Sequence, residues 1–266
     1  KMRENVETRL GFEVGITEHC NLNCRGCSHF SPIAEPYYMD IAVFERDMSR
    51  MAVLLRGKVA WIHIMGGEPL LHPDCPRFLS AARNAFPDAR IDLITNGILL
   101  ERQPESFWMC CHEQSIVLKP TRYPIAVDFD QVRSLADKYG VMFRFYNYED
   151  ENGEKSLSKY VLDPSGGQDE KWEFSHCSQA NKCLTLREGK LYTCPTIPCS
   201  RHFSSFFGKE LPVTPEDYAD IYQVSGEEEL LCRMVTAPSF CRFCAHQEDI
   251  SGMKWGVSQK QMDEWA

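Results

Sequence analysis

Two hydrophobic rhythms alternate along the first 147 residues. In GFEVGIT, Phe12, Val14 and Ile16 recur at every second position, the period of a strand with one buried face. Past Asp40, residues Phe44, Met48, Met51 and Leu55 share one face at helical spacing, and Asp40 stands where a carboxylate caps a first turn. VAWIHIM (59–65) is almost continuously apolar, which predicts a strand covered on both sides. Asp74 opens a second helical pattern with Phe78, Leu79, Ala82 and Phe86. RIDLIT (90–95) and SIVLK (115–119) predict the third and fourth strands. Asp130 is expected to begin a helix bearing Val132, Leu135, Ala136 and Tyr139, with Gly140 as its stop. VMFRFYN (141–147) predicts a fifth strand.

Strands alternating with helices imply a parallel sheet with helices outside, curved toward a barrel or open and doubly wound. In both forms ligands gather at the carboxyl ends of the strands. Residues 148–172 are polar and rich in Gly, Ser and Asp, and predict a long loop or linker. The rhythm then changes. KCLTLREGKLYTCP predicts a β-hairpin turning at Glu188 and Gly189, and TPEDY, from Thr214, predicts a helix start with proline first.

Charge and composition narrow the partners. With 29 Lys and Arg against 38 Asp and Glu, the net charge is −9, and no basic cluster offers a footprint for nucleic acid or an anionic membrane. No run of 18 apolar residues predicts a membrane helix, and KMRENVETRLGFEV has no signal-like apolar core. Thirteen cysteines in such a chain predict metal chemistry in a reducing, cytoplasmic setting rather than disulfides. They fall in two groups: Cys20, Cys24 and Cys27, then seven between 177 and 244. Soft thiolates of this kind select iron–sulfur clusters, zinc or Cu(I).

HCNLNCRGCSHF (19–30) spaces three thiols as C-x3-C-x2-C. Three such ligands can hold three corners of a [4Fe–4S] cubane and leave the fourth iron open to a small molecule. The alternative is a zinc site completed by His29.

The loop ITEHCNLNCRGC resembles the signature of the radical SAM superfamily. The resemblance implies a cluster on Cys20, Cys24 and Cys27 whose open iron chelates S-adenosylmethionine. MGGEP, Met65 to Pro69, resembles that family's GGEP motif, so Gly66, Gly67, Glu68 and Pro69 are expected at the methionine amino group. ITNG, Ile94 to Gly97, resembles a cofactor-side turn and suggests Asn96 as a ribose or carboxylate contact, with Lys119 and Thr121 as further candidates. Gly26 stands where the family often carries an aromatic residue, and Phe30 is a candidate to replace it. The implied fold is a partial (β/α)6-type barrel. The implied chemistry is one-electron cleavage of S-adenosylmethionine to a 5′-deoxyadenosyl radical that abstracts a substrate hydrogen.

Cys177 is followed by eleven residues, Gly189, four residues and Cys194, and Cys241-Arg-Phe-Cys244 comes far downstream. This resembles the twitch/SPASM-type auxiliary-cluster extensions of the superfamily. No cysteine follows Cys244, so the shorter twitch form is expected, with a second [4Fe–4S] cluster on Cys177, Cys194, Cys241 and Cys244, zinc being the alternative. The expected organisation is a core at 1–150, a linker at 151–176, and at 177–266 a small β-hairpin/helix auxiliary-cluster domain ending in a C-terminal helix. Cys183, Cys199 and Cys232 are spare. Cys183 is a candidate hydrogen-atom donor, and Arg144, alternating with Phe143 and Phe145, a candidate for binding a substrate hydroxyl. Cys75, Cys110 and Cys111 are expected to be structural.

In length and ligand pattern the chain resembles the aminocyclitol dehydrogenases of this superfamily. That implies a small polar substrate, a sugar, aminosugar or cyclitol, oxidised from alcohol to ketone with a flavodoxin or ferredoxin as electron donor. Epimerisation of a similar substrate and maturation of a ribosomal peptide are the alternative activities. A non-catalytic zinc module is the alternative class. The shortness of the chain, with no evident leader-binding domain, favours a small molecule.

Overall fold

A computed structural model describes residues 10–146, 156–180 and 182–266. The expected linker start, Asn147 and the first residues of the chain lie outside the described residues. The alternating half is β1 (Leu10–Gly15), α1 (Ile41–Leu54), β2 (Val59–Met65), α2 (Cys75–Ala85), β3 (Arg90–Thr95), α3 (Glu105–Glu113), β4 (Ile116–Pro120), α4 (Phe129–Tyr139) and β5 (Met142–Phe143). Then follow β6 (Ser156–Lys159), α5 (Glu170–His176), β7 (Thr185–Arg187), β8 (Lys190–Tyr192), α6 (Thr196–Phe207), β9 (Tyr218–Asp220), α7 (Glu227–Met234) and β10 (Ile250–Lys254).

One eight-stranded sheet runs β5-β4-β3-β2-β1-β7-β8-β9. The strands from β5 to β7 are parallel, and β8 and β9 extend the sheet antiparallel, so the predicted hairpin joins the edge beside β1. A separate ribbon pairs β10 with β6. The parallel α/β sheet with helices outside, expected from the pattern, is therefore present.

The outward face of the sheet is the main core. Phe12, Val14, Ile62, Ile64, Ile91, Leu93, Ile116 and Leu118 pack there against Phe44, Met48 and Met51 of α1, Phe78 and Leu79 of α2, and Val132 and Ala136 of α4. Burial of such side chains, at about 25 cal/mol per Å² of apolar surface, drives this layer together. The inner face is different. Glu13, His63 and Asp92 lie in register on adjacent strands, with Lys119 two residues further along β4. Asp92 is fully buried and faces His63 at 3.1 Å and Lys119 at 2.9 Å. The apolar run VAWIHIM thus turns Ile62 and Ile64 to the helices, while His63 belongs to a buried polar layer. Below it the Trp61 indole stacks on His63 at 4.1 Å and lies where a β-carbon on Gly11 would fall, 2.0 Å from the ring.

Several expectations need correction. Asp40 caps α1, accepting from the Ala42 N–H at 2.7 Å, but the cap of α4 is Asp128, which accepts from Gln131 at 2.9 Å, and not Asp130. Gly140 does end α4 in the left-handed region, φ 67°. β5 has two residues instead of seven. The predicted linker contains β6 and α5, the latter capped by Asp169. TPEDY forms one 3-10 turn closed by a Thr214–Asp217 capping box, not a longer helix. In place of the expected C-terminal helix the chain forms β10 and a single 3-10 turn at Met262–Glu264.

A second core joins the two halves. Phe30, Ile33, Leu162, Ile197, Phe203, Phe240 and Trp265 meet beside the cysteine loop.

Candidate active site

β1 delivers the chain to the cysteine loop at the carboxyl edge of the sheet. Cys20 and Cys27 are half-buried and Cys24 is buried. A cavity of about 420 Å³ opens there, and Cys20, Cys24, Cys27, Gly66, Gly67 and Asn96 all line it. Its wall also carries Glu13, His29, Thr121, Tyr123, Lys182 and Cys183. The sequence-predicted residues of the first site therefore converge, apart from those treated next.

Glu68 is wholly buried and does not face the cavity. Its Oε1 accepts from the Thr95 hydroxyl at 2.7 Å and the Leu70 N–H at 3.1 Å, and its Oε2 accepts from the Asn96 N–H at 2.8 Å. Burial pushes its carboxyl up to about 7, against the pull of those three donors. The carboxylate expected at an ammonium is instead a tie between the ends of β2 and β3. Pro69, also buried, starts the 3-10 turn after it. Gly66 and Gly67 are needed for a reason other than ligand approach alone. A β-carbon would meet the Thr17 carbonyl oxygen at 2.1 Å from Gly66, and the His19 carbonyl oxygen at 2.0 Å from Gly67. The GGEP turn is pressed against the backbone leading into Cys20.

Asn96 orders the loop as well as lining the cavity. Its Nδ2 donates to Asn21 Oδ1 at 2.7 Å and faces Cys20 Sγ at 3.6 Å. The Leu22 N–H donates to the same sulfur at 3.3 Å. Burial pushes the Cys20 thiol up to about 12. Burial acts the same way on Cys27, but the hydrogen bond and charge of His29 outweigh it and bring that thiol below its ordinary value. His29 faces Glu13 Oε1 at 3.4 Å, and Glu13 also accepts from the Thr185 hydroxyl at 2.9 Å.

Three expectations fail on geometry. Arg144 is exposed, lies one residue past the end of β5 and is not part of the cavity wall, because the strand stops before the alternation can turn it inward. Lys119 is held by Asp92 and is outside the wall too. Phe30 is buried in the second core against Phe203 and Trp265, which removes it as a ring over a bound nucleoside. Gly26 has φ 63°, and a β-carbon there would lie 3.2 Å from the Glu264 carbonyl oxygen, so the C-terminal segment occupies the space beside it.

The second cysteine group converges on its own cavity, about 20 Å³, lined by Cys177, Cys194, Cys241 and Cys244 together with His246. Cys177 follows α5, Cys194 follows β8, and Cys241 lies in a 3-10 turn that ends before Cys244. Burial pushes the Cys194 thiol up to about 12. At Cys177, burial is outweighed by His246, which Asp249 holds at 2.7 Å, and that thiol falls below its ordinary value. Each cysteine group thus has one thiol beside a carboxylate-held histidine. Tyr160 and Gln179 line both cavities. Of the spare cysteines, Cys183 is in the larger cavity wall, Cys199 is buried behind it, and Cys232 is exposed on α7. Cys75 and Cys111 are buried in the main core.

Among the described residues, no three Cys, His, Asp or Glu side chains close on the spacing of a single bound ion. The donor set of the first group fits a [4Fe–4S] cluster: three thiols in one loop, Cys20 and Cys24 sulfurs facing N–H donors, and a cavity beside them.

Comparison with known proteins bears on part of the chain. The Radical SAM superfamily profile matches residues 14–109. Curated relatives include GTP 3′,8-cyclase of Chlorobaculum tepidum, 33% identical over 91 residues, which is 34% of this chain and 26% of that protein. GTP 3′,8-cyclase of Sulfurovum sp. is 34% identical over 87 residues, 33% of this chain and 27% of that protein. The match spans about a quarter of these relatives' length. Among solved structures, BtrN in complex with AdoMet and 2-DOIA superposes with a TM-score of 0.55 at 18% identity, covering 90% of this chain and 93% of that one. Native anSMEcpe with bound AdoMet gives 0.52 at 15% identity, covering 88% and 82%. These likenesses are of fold. Among the described residues no helix is long and apolar enough to cross a membrane.

Proposed function

The chain carries a domain of the Radical SAM superfamily over residues 14–109, and on that premise we propose that it acts on a small polar substrate from a cluster held by Cys20, Cys24 and Cys27. Proteins of this superfamily bind a [4Fe–4S] cluster and S-adenosylmethionine, which together supply a reducing electron and a hydrogen-abstracting 5′-deoxyadenosyl radical. The observation that carries the reading is the shared wall: Tyr160 and Gln179 separate the three-cysteine cavity from the four-cysteine cavity. A substrate in the larger space stands between a site that removes hydrogen and a site able to take an electron. Cys177, Cys194, Cys241 and Cys244 would hold the second cluster with no iron left open. Its role is then electron transfer, as oxidation of an alcohol to a ketone requires.

This chain's residues define the rest. Glu68 fixes the two turns that would flank S-adenosylmethionine, and Asn96 orders the cysteine loop. Lys182 is the one Lys or Arg among the described residues of the wall, and Glu13 is a buried carboxylate there. Such a wall suits hydroxyl and amino groups. It suits a nucleoside triphosphate poorly, since several phosphates need several cations. The curated cyclases match only about a third of this chain, so the substrate class rests on the cavity. The expected division into a core at 1–150, a linker at 151–176 and an auxiliary domain at 177–266 is part of the same proposal, as is a flavodoxin- or ferredoxin-type donor.

A second reading has one specific observation behind it. Cys183 lines the cavity, and burial pushes its thiol up to about 11, so it stays S–H and able to return a hydrogen atom. That would make the reaction an epimerisation.

The test is anaerobic turnover in heavy water with a panel of cyclitols, aminosugars and GTP. A ketone product, lost in Cys241→Ala, supports oxidation. Deuterium at the reacting carbon, lost in Cys183→Ala, supports epimerisation. Turnover of GTP alone overturns both.

A further inference from the structure

Residues 250–260 return across the cysteine loop. β10 pairs with β6, and the chain beyond it meets the loop through backbone hydrogen bonds first. The Arg25 N–H donates to the Gly256 carbonyl at 2.8 Å, the Ser258 N–H donates to the Asn23 carbonyl at 2.8 Å, and Cys24 forms an isolated antiparallel bridge with Val257. This clamp brings the Trp255 indole N–H onto Cys24 Sγ, with Nε1 at 3.2 Å. Trp255 is not in the wall of the 420 Å³ cavity; its neighbour Tyr123, 6.3 Å away between ring centres, is. A second tail tryptophan, Trp265, donates to the same loop at the Cys27 carbonyl oxygen, 2.9 Å. One indole therefore addresses a sulfur and the other a peptide oxygen.

We propose that Trp255 is a positioning residue that raises the reduction potential of the first cluster through its hydrogen bond to Cys24; the inference rests on Cys24 being a ligand of that cluster. An N–H dipole aimed at a metal-bound thiolate draws charge from the sulfur. It stabilises the extra negative charge that arrives when the cluster takes an electron. In this half-buried site water screens the dipole little. Removing the donor disfavours the reduced state, and the potential moves to a more negative value. Trp265, whose donor meets a carbonyl, lacks this lever.

The experiment compares wild type, Trp255→Phe and Trp265→Phe after anaerobic reconstitution. Iron and sulfide are counted, and the midpoint potential is read by redox titration with electron paramagnetic resonance. The relevant signal is identified by its loss in Cys24→Ala. The expected result is a more negative midpoint in Trp255→Phe at wild-type iron content, and an unchanged midpoint in Trp265→Phe. An unchanged or more positive midpoint in Trp255→Phe overturns the inference. Should that variant lose iron, replacing Trp255 by 3-benzothienylalanine keeps the shape and removes the N–H, and the same two outcomes decide. A wild-type signal indifferent to Cys24→Ala sinks the ligand assignment itself, and this inference with it, before any tryptophan is compared.

Discussion

At the scale of the residue, charged and polar groups in this protein hold turns and strands more often than they reach the cavity. Glu68 ties β2 to β3, and Asp92 ties the inner faces of three strands through His63 and Lys119. Burial alone would raise the Asp92 pKa, but hydrogen bonds and charge from His63 and Lys119 hold it below its ordinary 3.8. A carboxyl depressed on folding contributes stability above its ordinary value and loses it as the pH falls through the lower folded value. Asp92→Asn should therefore cost about 3 kcal/mol near neutral pH, the cost of leaving a buried cation without its partner. Urea unfolding of both proteins across pH should find that deficit narrowing below about pH 4. A gap that stays constant down to pH 3 would contradict the ion-pair account.

At the scale of the element, the cysteine loop is clamped from two sides. The GGEP turn presses on Thr17 and His19, and the tail segment bridges Asn23 to Arg25. The obstacle facing a β-carbon at Gly67 is backbone, at 2.0 Å from the His19 carbonyl oxygen, with no flexible side chain to move aside. Gly67→Ala should displace the loop and lower iron incorporation severalfold, with far-ultraviolet circular dichroism near that of wild type. Full iron loading in this variant would show that the close approach is dispensable. Much of the element plan was legible from periodicity, because the outward faces of β1 to β4, and the faces of α1, α2 and α4 that pack on them, are largely apolar. The α4 cap was misassigned because Asp128 and Asp130 both stand near its start, and only backbone geometry selects between them. β5 was overextended because VMFRFYN carries strand-forming side chains beyond the point where pairing with β4 stops. Helices α3, α5, α6 and α7 have no counterpart in the elements expected from the sequence. Seven of the twelve α6 residues are buried, so it lacks the polar face that marks an amphipathic helix.

At the scale of the whole molecule, the two cysteine groups are joined by packing that sequence separation conceals. β7 docks beside β1, where the Glu13 N–H donates to the Leu184 carbonyl at 2.8 Å. Asp47 on α1 accepts from the Gly189 N–H at 2.7 Å and the Tyr222 hydroxyl at 2.6 Å. The spacing of cysteines made both groups legible, since ligand sets leave a local signature. The wall between them did not show: Tyr160, Gln179, Glu13 and Lys182 carry no motif, and Trp255 meets Cys24 across 231 residues of chain. Nor did the exposure of Arg144 show, since strand alternation predicts an orientation only while the strand lasts. The central claim is that Cys20, Cys24 and Cys27 hold a cluster that delivers an electron to S-adenosylmethionine. Its most direct measurement is 5′-deoxyadenosine formed by anaerobically reconstituted protein given dithionite and S-adenosylmethionine. The account predicts steady formation by the wild type and none above background for Cys24→Ala. Equal formation by the two proteins, or none by either at full iron content, would contradict it.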